Sequence, residues 1–299
     1  MERTTEARNP ASTHIDTMST EEILATINGQ DQLVPQAIAD PAVMTPLTAL
    51  VDAVVARFQR GGRLFYIGAG TSGRLGVLDA AECVPTFGTD PEMVQGLIAG
   101  GQAAMTDAVE GAEDSVEGGA ADLKARHLSA DDFVIGLAAS GSTPYVIGGL
   151  DFAQAVGAGT GAIACNKNAL ISAHAAIAVE AVVGPEVVTG STRMKAGTAE
   201  KLLLNMVSTT SMIKLGKVYG NLMVDVKPTN IKLVDRAKRI IAAATGVDFA
   251  TAADYYDRAD HQPKLAIVMI NGGVDAARAA AALAQADGFI ARALAILRG

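Results

Sequence analysis

Aromatic residues, cysteines and long apolar runs are all scarce in this chain of 299 residues. Aromatic residues make up 4% and tryptophan is absent, whereas a base-stacking platform for nucleic acid would show more rings. The two cysteines, Cys83 and Cys165, are too few for a disulfide scaffold and lack metal-ligand spacing, so we expect a reducing compartment. No apolar run reaches the roughly 18 residues of a membrane span, and the polar N-terminus shows no secretory signal. These absences favour a cytoplasmic protein that binds no membrane and no metal.

The net charge of −8 argues against nonspecific binding to nucleic acid or to anionic membranes. It leaves room for a local basic pocket that holds a phosphate. Hydrophobic residues make up 49% of the chain and charged residues 19%, which is enough for a sizeable core. The 31 glycines indicate many tight turns between strands and helices.

Five short apolar runs predict buried β-strands with helix-length segments between most of them. They are RLFYIGAG from residue 63, MVQGLIAGG from 93, DFVIGLAASG from 132, TGAIACN from 160 and AAIAVEAVVG from 175. Such strands alternating with helices predict an α/β fold, a parallel sheet covered by helices on both faces. Ligands of such sheets bind beyond the carboxyl ends of the strands, so the loops after the strands are the candidate sites.

Helices are predicted on both sides of this region. Residues 19–22 form a plausible cap for a helix, and an apolar stripe at helical spacing follows over residues 46–60. A long helix is predicted after Lys195, and the Ala-rich tail over 231–299 predicts a small bundle in which Pro263 starts a buried helix. We expect three domains, over residues 1–50, 51–220 and 221–299, with residues 1–20 loosely held or wrapped on a partner subunit.

The first candidate loop contains Gly70, Thr71 and Ser72 and formally matches G-x-G-x-x-G. A dinucleotide site also needs an acidic residue at the end of the next strand, but that strand ends in LIAGG. A phosphosugar loop fits better, because glycines let backbone N–H groups approach an anion at a helix N-terminus and the hydroxyls add donors. A tight turn without a ligand remains the alternative.

Two further loops are rich in glycine and hydroxyl groups. The third strand is followed by Ser140, Ser142 and Thr143, and Pro144 then suits the first turn of a helix. A later cluster offers basic and hydroxyl side chains to a phosphate, although surface charge at a helix start is the simpler interpretation. Its candidate residues are Ser191, Arg193 and Lys195.

Carboxylates are the remaining chemical groups of interest. Glu82 follows the first loop in the apolar context LDAAECVP, where a raised pKa would suit a general acid. Glu113 lies in the acidic stretch VEGAEDS, among neighbours that sequence alone cannot rank. The chain has no HExxH, P-loop or G-x-S-x-G motif, so acid–base chemistry by carboxylates is favoured over zinc hydrolysis, ATP transfer or a serine nucleophile.

Five segments together resemble the N-acetylmuramic acid 6-phosphate etherase family. In chain order they read YIGAGTSGRLGVLDAAEC, VEGAEDS, AASGSTPY, VVTGSTRMKAGTAEK and GNLMVDV. The resemblance implies a sugar isomerase (SIS) domain followed by a small helical C-terminal domain, in a homodimer whose site lies near the subunit interface. It also implies cleavage of a lactyl ether in cell-wall sugar recycling, without metal or organic cofactor, by two glutamates that match Glu82 and Glu113.

One departure from the family pattern concerns Ser142, where many relatives have arginine in the segment ASGRTPY. We expect Arg193 and Lys195 to compensate for that missing charge. Two other functions stay open on the sequence. An aldose–ketose isomerase would use the same fold and also needs a base at C2. A non-enzymatic sugar-phosphate sensor is the other, because TGSTRMKAGTA also resembles the SIS modules of glucokinase regulatory protein.

Overall fold

The structure is a computed structural model that describes residues 3–228 and 230–299. The chain divides into two compact units. The first comprises Met1–Ala81 and Pro91–Ser208, and the second comprises Glu82–Asp90 and Thr209–Gly299. The three-domain division expected from the sequence stays a prediction.

A five-stranded parallel sheet forms the centre of the first unit. The strands are β1 (Leu64–Gly68), β2 (Val94–Ile98), β3 (Phe133–Ala138), β4 (Gly159–Ala164) and β5 (Ile177–Glu180). They pair in the order β2-β1-β3-β4-β5, and every pairing is parallel. All residues of β1 and β3 are buried, as expected for strands covered on both faces. The predicted fold class and all five predicted strands are confirmed.

Helices account for most of the remaining chain. The N-terminal part contains three short 3₁₀ turns at Thr4–Glu6, Pro10–Ser12 and Ile15–Thr17, and later 3₁₀ turns lie at Gly101–Met105, Ala112–Asp114 and Leu170–His174. The α-helices up to the end of the sheet region are α1 (Thr20–Asp31), α2 (Leu33–Ile38), α3 (Pro41–Phe58), α4 (Gly70–Phe87), α5 (Val116–Ala125), α6 (Pro144–Val156) and α7 (Lys195–Lys214). The predicted cap is confirmed, because Ser19 and Glu22 form a reciprocal capping box at the start of α1.

The helical tail belongs to the second unit. It consists of α8 (Ile231–Thr245), α9 (Phe249–Arg258), α10 (Pro263–Gly272), α11 (Ala276–Gln285) and α12 (Ile290–Arg298). Pro263 stands in the first turn of α10, and Ile267 and Val268 of that helix are fully buried. The prediction that Pro263 starts a buried helix, and not a strand, is therefore confirmed.

Helix α3 is long and apolar enough to cross a membrane by length and composition alone, and the bent pair α10 and α11 passes the same test together. Within the first unit α3 packs against β4 and β5. Its residues Leu47, Leu50 and Val54 are almost completely buried there. Burial of one face is how the core helix of a soluble fold is built, so this composition is weak support for a membrane span.

The N-terminal segment, residues 3–19, is fixed on the first unit, so the expectation of a loosely held segment is wrong. Ser12 Oγ donates to the carbonyl of Val187 at 2.7 Å, and Asn9 Nδ2 donates to the carbonyl of Pro185 at 3.0 Å. Thr5 is fully buried. The polar side chains that suggested a solvated tail are the groups that bind it, because their partners lie far away in the sequence.

Candidate functional site

The sheet order places two of the predicted loops at one crevice. From β1 the chain winds outward to β2, and it then returns across β1 to continue through β3, β4 and β5. The direction of winding therefore reverses between β1 and β3. Ligands of open α/β sheets bind outside the carboxyl ends of the strands at such a reversal. The loops after β1 and β3 flank this point.

The glycines of the first loop have separate roles. A Cβ at Gly73 would lie 2.7 Å from the carbonyl oxygen of Gly68 and 2.7 Å from Ile98 Cγ1, so the start of α4 packs directly against β1. Gly70 has φ +52° and open space where a side chain would be. The pattern that mimics a dinucleotide fingerprint is thus explained by helix–strand packing at Gly68 and Gly73, while Gly70 faces a cavity.

Ser72 of this loop points inward. Its side chain is 6% exposed, and its Oγ lies 2.8 and 2.9 Å from the two carboxyl oxygens of Glu200 on α7. Burial raises the pKa of Glu200 to about 8, although the hydrogen bond with Ser72 opposes this shift. A Cβ at Gly197 would lie 3.3 Å from Thr71 Cγ2, so the start of α7 also contacts the neighbouring residue. The first loop therefore packs against the start of α7, through Gly197 and Glu200.

Ser140 and Ser142 line a cavity of about 260 Å³ after β3. Their hydroxyl oxygens are 3.3 Å apart and both side chains are half-buried. Thr143 is the N-cap of α6, and within the described chain its hydroxyl makes no capping bond. The hydroxyls predicted from this loop are thus assembled at the start of a helix whose first N–H groups need partners.

Asn166, which the sequence reasoning missed, holds this loop in place. It is 4% exposed, and its Nδ2 donates to the carbonyls of Ala139 at 3.1 Å and Ser140 at 3.2 Å. The same amide contacts the N-terminal segment, because Nδ2 also donates to Thr5 Oγ1 at 3.0 Å and the Thr5 N–H donates to Oδ1 at 3.3 Å. Its position as the last residue of the predicted strand run TGAIACN is the signal that could identify it.

The cations beside Ser142 are Arg3 and Lys167, which both line its cavity. The compensation expected from Arg193 and Lys195 is therefore not found there, since neither residue lines this cavity. The sequence could not indicate Arg3, because its placement depends on the docking of the N-terminal segment through Thr5.

Lys195 is a buried residue at the start of α7. It is 1% exposed, and its Nζ donates to Gln30 Oε1 at 2.9 Å. Burial lowers its pKa, while Glu186 and Asp31 act in the opposite direction. The carboxylate of Glu186 accepts the backbone N–H groups of Lys195 and Ala196, each at 2.9 Å. Ser191 and Arg193 precede this helix, half-buried and exposed respectively.

Glu113 lies on a second cavity of about 240 Å³, which Gly70 and Arg74 also line. Arg74 is oriented by bonds from Nε to the carbonyl of Met105 at 3.0 Å and from Nη2 to the carbonyl of Asp107 at 3.2 Å. Glu113 is exposed and belongs to the 3₁₀ turn Ala112–Asp114. A carboxylate, a guanidinium and the glycine end of α4 therefore border one solvent-accessible space.

Glu82 lies on α4 in the second unit, and its side chain is exposed. The apolar enclosure expected from its sequence neighbours is therefore not found. Successive residues of a helix point in directions about 100° apart, so the buried side chains of Ala80 and Cys83 do not surround Glu82. It lines neither the cavity of Ser142 nor that of Glu113.

Comparison with known proteins gives consistent matches. The profile of the glucokinase regulatory protein N-terminal SIS domain matches residues 46–154. The N-acetylmuramic acid 6-phosphate etherase of Exiguobacterium sp. is 58% identical over 290 residues, which cover 97% of this chain and 98% of that protein. N-acetylmuramic acid 6-phosphate etherase 2 of Lactiplantibacillus plantarum is 59% identical over 291 residues, with the same two coverages. The solved structure of a phosphoheptose isomerase from Neisseria gonorrhoeae has a TM-score of 0.51 at 14% identity, over 64% of this chain and 99% of that one, and shares the fold.

Proposed function

Because this chain belongs to the N-acetylmuramic acid 6-phosphate etherase family, we propose that it cleaves the D-lactyl ether of N-acetylmuramic acid 6-phosphate. The products are N-acetylglucosamine 6-phosphate and D-lactate, which makes the protein a carbon–oxygen lyase of cell-wall sugar recycling. The strongest support for this function is the 58% identity to an etherase over 97% of the chain.

The reaction needs a base, an acid and water. In the open-chain sugar the lactyl ether at C3 is β to the aldehyde, so a base removes the acidified C2 proton and the C3–oxygen bond breaks. An acid protonates the departing lactate oxygen. Water then adds to C3 of the unsaturated aldehyde and a proton returns to C2, which leaves a C3 hydroxyl in place of the ether. Carboxylates in suitable settings perform both proton transfers.

Glu113 is the proposed C2 base. It lies on the cavity next to Gly70, at the N-terminal end of α4, where we place the sugar of the substrate. Glu82 is the proposed acid for lactate departure and then the base for water. Its side chain is exposed and lines neither cavity. We therefore propose a homodimer that completes the site, in the cytoplasm, where its two cysteines stay reduced.

The phosphate is assigned to the cavity after β3. Ser140, Ser142 and Thr143 supply hydroxyl donors at the start of α6, and Arg3 and Lys167 supply positive charge. Charge-assisted hydrogen bonds of this kind are about twice as strong as neutral ones, which suits a dianion. Thr71 lies at the start of α4 and completes the set of donors proposed for the sugar.

The test is D-lactate release from purified protein and N-acetylmuramic acid 6-phosphate, compared with the Glu113→Gln variant. Glu117→Gln is the matched control, because Glu117 is exposed on α5 and lines neither cavity. We expect release by the wild type and by the control, and almost none by Glu113→Gln. Conversion of a phosphosugar without lactate would indicate an isomerase, and binding without turnover a sensor; either result would overturn the proposal.

A further inference from the structure

Glu200 is a buried carboxyl group that the reaction scheme does not use. It lies in the second turn of α7 with 0% of its side chain exposed. Both of its oxygens contact a single group, Ser72 Oγ, at 2.8 and 2.9 Å. In the described ranges 3–228 and 230–299 it has no ion pair and no other hydrogen-bond partner.

An ionised carboxylate is costly in such a place. Transfer of a charge out of water is strongly unfavourable unless a cation or several donors compensate, and a lone group takes up a proton instead. Burial accordingly raises the pKa of Glu200 to about 8. The side chain is therefore mainly a neutral acid at pH 7, which is how proteins retain a carboxyl group as a hydrogen-bond donor.

Among the residues that the structure describes, no cation affects the pKa of Glu200, whose shift has burial and the Ser72 hydrogen bond as its causes. The thiol of Cys165 donates to the carbonyl of Ala196 at 3.7 Å, and burial together with the nearby Glu200 and Glu186 raises its pKa, so it too is neutral. The carboxylate of Glu186 accepts the backbone N–H groups that start α7, and Lys195 Nζ is bonded to Gln30. The protonation of Glu200 therefore responds mainly to Ser72 and to any charge placed near the first turn of α4, on the other side of Ser72.

The protonation state of Glu200 fixes the direction of the Ser72 hydroxyl. A neutral acid donates its own proton to Ser72 Oγ, which leaves the Ser72 O–H free to donate elsewhere. An ionised carboxylate has no proton, so the Ser72 O–H must turn toward it. Ionisation also places a negative charge one hydrogen bond from the first turn of α4, where the helix otherwise favours an anion.

We propose that Glu200 is a positioning residue that, as a neutral carboxylic acid behind Ser72, keeps the N-terminus of α4 able to hold the sugar of the anionic substrate, whose phosphate is assigned to the cavity after β3. This inference rests on the proposed function, since it assigns that substrate to the end of α4. When Glu200 loses its proton, substrate binding weakens, while a substrate already bound is converted at the same rate.

The predicted pH dependence has a definite sign. Substrate binds the protonated form, so Glu200 leaves KM unchanged well below about pH 8 and raises it above that value, by about tenfold at one pH unit beyond the midpoint if the ionised form does not bind. The second ionisation of a phosphate ester lies near pH ~6, so this rise is separate from titration of the substrate. The turnover number is expected to change little over the same range.

The experiment measures KM and kcat for lactate release between pH 6 and pH 10 in the wild type, Glu200→Gln, Ser72→Ala and the surface control Glu117→Gln. Glutamine keeps the shape and a donor of the neutral acid, so Glu200→Gln should match the wild-type KM at pH 7 and lack the rise above pH 8. Ser72→Ala should have a raised KM at every pH, and Glu117→Gln should follow the wild type.

A wild-type KM that is flat to pH 10, or the same rise in Glu200→Gln, would overturn the inference. The wild-type profile decides the matter even if Glu200→Gln fails to fold. Infrared difference spectra during a pH titration provide a readout without activity, as a protonated-carboxyl band that disappears near pH 8 and is missing in Glu200→Gln. If no variant releases lactate at any pH but this band is present, the proposed function fails while the neutral acid stands; absence of the band would refute the neutral acid.

Discussion

Two glutamates of the first unit, Glu113 and Glu200, have opposite surroundings. Glu113 is exposed on a short turn and borders a solvent-accessible cavity with Arg74. Glu200 is completely buried and touches one hydroxyl, that of Ser72. The first setting favours a base that a substrate can reach, and the second favours a neutral acid that only supports other groups. The same residue type thus has different chemistry because solvent and charge around it differ.

Removal of the exposed carboxylate should have the largest effect on activity. Glu113→Gln should lower kcat for lactate release by about 10²–10⁴-fold, the usual contribution of a positioned general base. Its midpoint of thermal unfolding should be unchanged, because the side chain is exposed. A kcat within about threefold of the Glu117→Gln control, far less than a general base contributes, would remove Glu113 from that role.

The Glu200→Gln variant cannot ionise at this position, so it should change how the free energy of unfolding depends on pH. The raised folded-state pKa of Glu200 means that the native state binds a proton that the unfolded chain releases above its ordinary pKa of 4.5. The stabilisation is complete below that value and is lost as pH rises toward about 8, by roughly 3–5 kcal/mol over the whole range. Denaturant unfolding at pH 5 and pH 9 should show this loss in the wild type, and Glu200→Gln should show much less of it. Equal losses in both proteins would contradict the buried neutral acid.

The cavity after β3 depends on Asn166. Asn166→Ala should lower the free energy of unfolding by about 1–3 kcal/mol, because the Ala139 and Ser140 carbonyls lose a buried donor. The KM for the substrate should rise as well, since the loop and Thr5 lose their shared partner. Asn28→Ala serves as a control, because its side chain is exposed on α1 and does not line this cavity. Wild-type stability together with wild-type KM in Asn166→Ala would show that the loop does not need this amide.

The smallest expected effects come from the two cations of the cavity. Arg3→Ala and Lys167→Ala should each raise KM about fivefold with little change in kcat, because a solvent-exposed charge contributes modestly to binding an anion. Added salt should reduce the difference from the wild type. Arg8→Ala is the matched control, since Arg8 is exposed and lies outside the cavity. Equal KM values for all four proteins at low salt would place the phosphate elsewhere.

The sheet and its helices were predictable because their signals are local. Each strand is a short, almost continuous apolar run, and α10 begins at a proline, so length and residue type decide both. The hydroxyl loop at Ser140 and Ser142 was predictable for a related reason, since parallel strands place their carboxyl ends at one edge.

Features that depend on distant contacts were not predictable. The N-terminal segment reads as polar and solvated, yet Thr5 is buried and bonded to Asn166, 161 residues away. Glu200 looks like any helix-surface glutamate until α7 packs on the start of α4 and encloses it. Glu82 is the reverse case. Its neighbours in the sequence are apolar, but they point to other sides of the helix and leave Glu82 exposed.

Ether cleavage by elimination and hydration is tested by following isotopes from the solvent into the products. N-acetylmuramic acid 6-phosphate is converted in water enriched in both deuterium and oxygen-18, and the sugar product is analysed by mass spectrometry and NMR. Elimination followed by hydration gives D-lactate without new oxygen, and N-acetylglucosamine 6-phosphate with solvent hydrogen at C2 and solvent oxygen at the C3 hydroxyl. Retention of the original oxygen at C3, or lactate release without hydrogen exchange at C2, would contradict it.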